Sequence, residues 1–110
     1  MNILLTGATG YIGKRLLPLL VAQGHHVICC VRDKDRFTIP EEYVIQVRVI
    51  EVDFLNQESL SSIPNDIDAA YYLIHSMSGS AKNYDELEYA SALNFVDRMN
   101  LTRVKQVIYL

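Results

Sequence analysis

Short apolar runs divide the chain, and stretches with helical spacing separate them. Ile3-Leu4-Leu5 predicts a first strand, and Leu16 to Val21 lies in a helix that the pattern extends from Tyr11 to Gln23. Val27 to Val31 is apolar throughout, as in a strand buried on both faces. Val47 to Val52 alternates β-branched residues and predicts a third strand, ended by Asp53. Asn56 is placed to N-cap a short helix, Gln57 to Ser62, which Pro64 stops. A fourth strand runs from Ala69 to Ile74 and gives way at His75 to a glycine-serine loop, Ser76 to Ser80. From about Asn83 to Asn100, the residues Tyr89, Ala92, Leu93, Val96 and Met99 recur at helical spacing and mark the face expected to lie on the sheet. Lys105 to Leu110 is a fifth strand.

This order implies an α/β fold, a doubly wound parallel sheet, because each parallel crossover is right-handed and covers a face. The expected strand order is 3-2-1-4-5. A ligand then belongs at the carboxyl ends of strands one and four, where the order reverses. Strand five runs to the last residue, Leu110, without a turn, cap or following helix. Residues 1–110 are therefore expected to be one domain, the N-terminal portion of a longer protein truncated at strand five. Its open outer edge is a place for homo-oligomer contacts.

Two details interrupt the first helix. Pro18 has no N–H for the Lys14 carbonyl, so the helix either bends or has a loose first turn. Gly24 stands where a helix end favours a left-handed residue.

The junction of strand one and helix one carries the densest chemistry, Thr6-Gly7-Ala8-Thr9-Gly10-Tyr11-Ile12-Gly13. Gly7 allows a positive φ, Gly10 has no Cβ to block a pyrophosphate, and Gly13 lets the helix approach the strand. An anion there would meet free N–H groups and the positive end of the helix dipole. The spacing G-x-x-G-x-x-G departs from the G-x-G-x-x-G of the main Rossmann fingerprint, and a plain strand-to-helix turn would also use glycines. The position between a strand and a helix at the chain's start favours phosphate binding.

The end of strand two bears on the choice of cofactor. In dinucleotide folds an acidic residue there takes the ribose 2′-hydroxyl of NAD, whereas an arginine accommodates the 2′-phosphate of NADP. Here Val31 is followed by Arg32, so NADP (NADPH) is favoured, with NAD possible. Asp33 could pair with Arg32 or accept from the ribose, and Arg32 could instead be one more exposed charge in the loop that ends at Arg36.

Composition narrows the partners. Ten basic and 13 acidic residues give a net charge of −3, and the basic ones are scattered, which excludes a nucleic-acid surface and disfavours a membrane one. No stretch approaches the roughly 18 uninterrupted apolar residues of a spanning helix. The apolar N-terminus has Lys14 and Arg15 in its middle, unlike a signal peptide. Cys29 and Cys30 point to opposite faces of a strand and read as buried thiols in a reducing cytoplasm, not as a disulfide or metal pair. His25 and His26 read as polar residues at a strand entry. Asp85, Glu86 and Glu88 suit a helix's first turn, so no metal site is expected. Tyr71 and Tyr72 would face opposite sides of the sheet, and core packing is the expected use of at least two of the four tyrosines Tyr71, Tyr72, Tyr84 and Tyr89.

The glycine string, Gly24-His25, Val31-Arg32, Asp53, the segment Asp68 to Met77, the helix bearing Asp85, Ala90 and Asn94-Phe95, and Val107 to Leu110 together resemble an atypical branch of the extended short-chain dehydrogenase/reductase superfamily. That branch includes NmrA-like proteins, a respiratory complex I accessory subunit, and bacterial proteins whose tyrosine-rich fourth strand ends in His-Ser-Met. The likeness covers essentially the whole chain, Pro18 included. It implies a pyrophosphate at Gly7, Thr9, Gly10, Tyr11 and Ile12, a 2′-phosphate at Arg32, and the adenine amino group near Asp53, flanked by Phe54. Leu73, Ile74 and His75 would run beside the adenine ribose and the nicotinamide half. Related epimerases have small alanines where this chain has Ile74 and His75, which implies a narrower pocket. The superfamily's catalytic Tyr-x-x-x-Lys pair lies beyond strand five. No tyrosine here has a lysine four positions later, and Tyr11 with Arg15 comes nearest.

Two function classes follow. One is an NAD(P)-dependent oxidoreductase or epimerase acting on a small-molecule substrate, with catalysis supplied by residues after Leu110. The other is a non-catalytic NmrA-like module in which nucleotide occupancy regulates or stabilises an assembly.

Overall fold

The computed structural model describes residues 1–73 and 84–109. Expectations for Ile74, His75, the loop Ser76 to Ser80 and Leu110 lie outside the described residues. Strands β1 (Asn2–Thr6), β2 (His26–Val31), β3 (Val47–Glu51), β4 (Ala69–Tyr72) and β5 (Gln106–Tyr109) form one sheet in the order β3-β2-β1-β4-β5. Every pairing is parallel, with Leu4 opposite Ile28 on one side and Ala70 on the other. The doubly wound topology read from the pattern is the one observed.

Helix α1 (Tyr11–Ala22) covers one face, burying Gly13, Leu17 and Leu20. Beneath it lie Ile3, Leu5, Val27, Cys29 and Val31. Pro18 sits inside the helix on its exposed side, as does Lys14, and the helix continues through it to Ala22. Gly24 ends it at φ +84°, where its N–H donates to the Val21 carbonyl at 3.0 Å.

The other face carries helix α2 (Tyr84–Met99) and a 3₁₀ segment, Gln57–Ser62. The Asn56 side chain accepts the Glu58 N–H, the cap expected from sequence. Phe54, Tyr72 and Phe95 pack edge-on or tilted, with ring centroids 4.4 to 6.0 Å apart. Within α2 the expected inward face needs correction. Met99 is buried and Ala92 half-buried, but Tyr89 is 67% exposed and Leu93 and Val96 are each 44% exposed. Among the described side chains Ser91 and Phe95, not expected to face the sheet, are buried with Met99. Asn94 explains the rotation, since its amide donates to the Phe54 carbonyl at 2.6 Å and its Oδ1 accepts from Gln57 at 2.9 Å. Arg98, one turn on, donates to the Ile63 carbonyl. These polar contacts turn the helix toward the 3₁₀ segment and leave Tyr89, Leu93 and Val96 outside.

Asp68 fastens the amino ends of three strands. Its Oδ2 accepts the Asn2 N–H at 2.8 Å, its carbonyl accepts the Lys105 N–H at 3.0 Å, and its Oδ1 lies 3.2 Å from Arg103. The Asn2 hydrogen bond, with the Arg103 charge, holds its carboxyl below the usual carboxylate range. Among the described residues no helix is long and apolar enough to cross a membrane.

Candidate functional site

Parallel strands put their carboxyl ends on one edge, and the order β3-β2-β1-β4 fixes what lines it. In that order the edge carries Asp53 with Phe54 after β3, Arg32 after β2, the glycine turn after β1, and Leu73 after β4. The turn therefore lies at the switch point between β1 and β4.

The turn is built as an anion cradle. Gly7 has φ +74°, and a Cβ there would lie 2.9 Å from the Leu73 carbonyl oxygen, so turn and β4 touch through backbone. A Cβ on Gly13 would come within 2.2 Å of the Gly7 oxygen, which fixes that glycine as the contact between helix and turn. At Gly10 a Cβ would meet, among the described residues, only the Gly7 oxygen, at 3.3 Å, a close contact but a far looser one than at Gly13. The Lys14 N–H makes a helical bond to the Gly10 carbonyl at 2.9 Å, leaving the N–H groups of Tyr11, Ile12 and Gly13 ahead of it. Gly10, the N-cap, supplies no capping side chain, and no acidic residue occupies the first turn. A phosphate fits these donors. The Arg15 guanidinium, folded back over the exposed Tyr11 ring at 4.4 Å, adds positive charge at that end.

Thr6 is a contributor that the sequence reading missed. Fully buried, its hydroxyl donates to the Tyr71 carbonyl at 2.8 Å and accepts the Leu73 N–H at 3.2 Å, tying β1 to β4 beneath the turn. The available signal was a lone hydroxyl as the last strand residue before the first glycine.

At the other end of the edge, Arg32 Nη2 lies 4.0 Å from Asp53 Oδ2, with both side chains substantially exposed. Asp53 is held by Ser59, whose hydroxyl accepts its N–H at 2.9 Å and donates to its carbonyl at 2.8 Å. Phe54, expected to flank the adenine amino group, follows Asp53 on this edge. The residue is only 4% exposed, and its ring belongs to the aromatic core. Leu73 is buried against the turn. Tyr71 is half-buried on the α1 face and Tyr72 is buried on the α2 face. Burial pushes the pKa of the Tyr72 hydroxyl up to about 12.

A doubly wound parallel sheet with an uncapped, glycine-lined helix start at its switch point defines a dinucleotide-binding domain of the Rossmann type. The sequence matches the NAD(P)H-binding family over residues 7–110, and the chain belongs to that family. It is 21% identical over 109 residues to the photosystem II assembly factor Ycf39 of Synechocystis, covering 99% of this chain and 33% of that protein. Among solved structures, a nucleoside-diphosphate-sugar epimerase from Staphylococcus aureus superimposes with a TM-score of 0.76 at 26% identity, over 99% of this chain and 37% of that one. UDP-N-acetylglucosamine 4-epimerase from Bacillus cereus gives 0.72 at 20% identity, over 99% and 38%. The chain thus spans a little over a third of either epimerase.

Proposed function

We propose that the chain is the cofactor-binding segment of an NAD(P)-dependent oxidoreductase or epimerase acting on a small molecule, with NADP(H) preferred over NAD(H). The observation that supports this most is the row on one sheet edge: an uncapped glycine turn at β1 and, one strand away, Arg32 in place of the acidic residue typical of NAD sites. In this reading Gly7, Thr9, Gly10, Tyr11 and Ile12 receive the pyrophosphate, Arg32 the 2′-phosphate, and Asp53 the adenine amino group, flanked by Phe54. Leu73, followed by Ile74 and His75, runs toward the nicotinamide half. A bound nicotinamide supplies a hydride donor or acceptor, and this chain's residues bind and orient it. The buried thiols Cys29 and Cys30 suit a reducing compartment, and we place the protein in the cytoplasm.

Calorimetric titration with NADPH and NADH tests the preference. NADPH should bind more tightly, and Arg32→Ala should remove most of the difference, up to the about 1.5–3 kcal/mol of a charge-assisted contact. Equal affinities that the substitution leaves unchanged would refute it. The likeness to a protein named as an assembly factor favours a second reading, a nucleotide-occupied module without turnover. A Tyr-x-x-x-Lys pair in sequence continuing past Leu110 would support the enzyme, and its absence the module.

A further inference from the structure

In the free protein Arg32 already has a partner. Asp53 Oδ2 stands 4.0 Å from the guanidinium, and the carboxylate is fixed in place because its Oδ1 accepts the Leu55 N–H at 3.0 Å. Ser59 holds the Asp53 backbone from both sides. The second arginine of the loop is likewise engaged, with Arg36 Nε 3.5 Å from Asp33 Oδ2. Asp33 Oδ1 also accepts the Asp35 N–H, and Glu51 takes the Lys34 N–H at 3.0 Å. The ends of β2 and β3 thus set four carboxylates, Asp33, Asp35, Glu51 and Asp53, among three cations, Arg32, Lys34 and Arg36. A pocket shaped only to attract a phosphate would leave its cations unpaired.

We infer that Asp53 is a specificity-determining residue, which limits the preference for NADP(H) by competing with the 2′-phosphate for Arg32. This rests on the assignment of Arg32 made above. A cofactor carrying the phosphate must take the guanidinium from Asp53 and then sit beside the carboxylate it displaced. A cofactor without it leaves the pair standing. The cost falls on one form alone, so the pair narrows a discrimination that Arg32 by itself would make wide. Because both side chains are substantially exposed, the competition is small, and a site that accepts both cofactors follows from it.

Asp53→Asn is the informative substitution, since the amide keeps an acceptor for the Leu55 N–H and for an adenine amino group while losing its charge. Titration calorimetry with NADPH and with NADH, on the parent protein, Asp53→Asn, Arg32→Ala and the double variant, reads the ratio of the two affinities. Circular dichroism confirms that each is folded. Asp53→Asn should raise the NADPH-to-NADH affinity ratio by about two- to fivefold, the worth of an exposed ion pair. In the Arg32→Ala background that rise should shrink or vanish. A ratio unchanged or lowered by Asp53→Asn, while Arg32→Ala costs NADPH binding, overturns the inference and leaves the assignment of Arg32 standing. An equal rise in both backgrounds also overturns it, because Asp53 would then act without Arg32. Failure of Arg32→Ala to move the ratio overturns the assignment beneath.

Discussion

Three glycines in one turn do three different jobs, and their side-chain surroundings separate them. A Cβ at Gly13 collides with the Gly7 carbonyl, whereas a Cβ at Gly10 has, among the described residues, only the Gly7 oxygen near it, at 3.3 Å, a close contact that a shift of a few tenths of an ångström relieves. Gly10→Val should therefore keep the fold and lose the dinucleotide, while Gly13→Ala should lower stability itself, by at least the about 1–3 kcal/mol typical of overpacking. Urea denaturation and nucleotide titration on the two variants check this. A Gly10→Val protein that binds with parent affinity would place the site elsewhere. The spacing made these roles legible because they depend on local backbone. Thr6 was not legible, since what its hydroxyl bonds lies 65 residues away on β4. Phe54 is similar: nothing in its local sequence announces that its ring packs with Tyr72 and Phe95 in the core.

Elements whose signals are local were read closely, and those whose orientation depends on a distant surface were not. Asn56 announces the 3₁₀ segment that follows it, and β1 and β2 are apolar enough to be read directly. Helix α2 has two competing stripes. Apolar spacing selects Tyr89, Ala92, Leu93, Val96 and Met99, yet of these only Met99 is fully buried, and Ser91 and Phe95 join it, because Asn94 and Arg98 find carbonyl partners beside that face. A count of side chains cannot see those carbonyls. Asp68 shows the opposite case, one residue coupling the entries of β1, β4 and β5. With its carboxyl held below the usual carboxylate range, its stabilising contribution is complete above the unfolded-state range and is lost as pH falls through the lower folded-state value. Asp68→Asn should lower stability at neutral pH, and the gap to the parent should close in acid. Denaturation midpoints across that range decide it, and a gap independent of pH would show that the charge is not what holds the strands.

At the scale of the molecule, handedness explains both what could be read and what stays uncovered. Moving from β1 to β2 sends α1 to one face, and moving the other way from β4 to β5 sends α2 to the opposite face, which creates the switch point where the turn sits. That same walk ends with β5 at the rim. Among the described residues no strand pairs with its outer edge, and Val107 and Tyr109 are 38% and 54% exposed on the face that α2 covers. Tyr89, Leu93 and Val96 on α2 are exposed apolar residues too, and exposed apolar surface beside a sheet edge favours association. We expect the 110-residue polypeptide, purified alone, to associate through this side and to show a mass above the monomer in light scattering coupled to size exclusion. Leu93→Glu combined with Val96→Lys should lower that mass, because it charges the apolar stripe without touching the buried face of the helix. A parent chain that stays monomeric up to its solubility limit would refute the expectation. A parent that associates equally well with both charges in place would assign the contact to the strand edge alone.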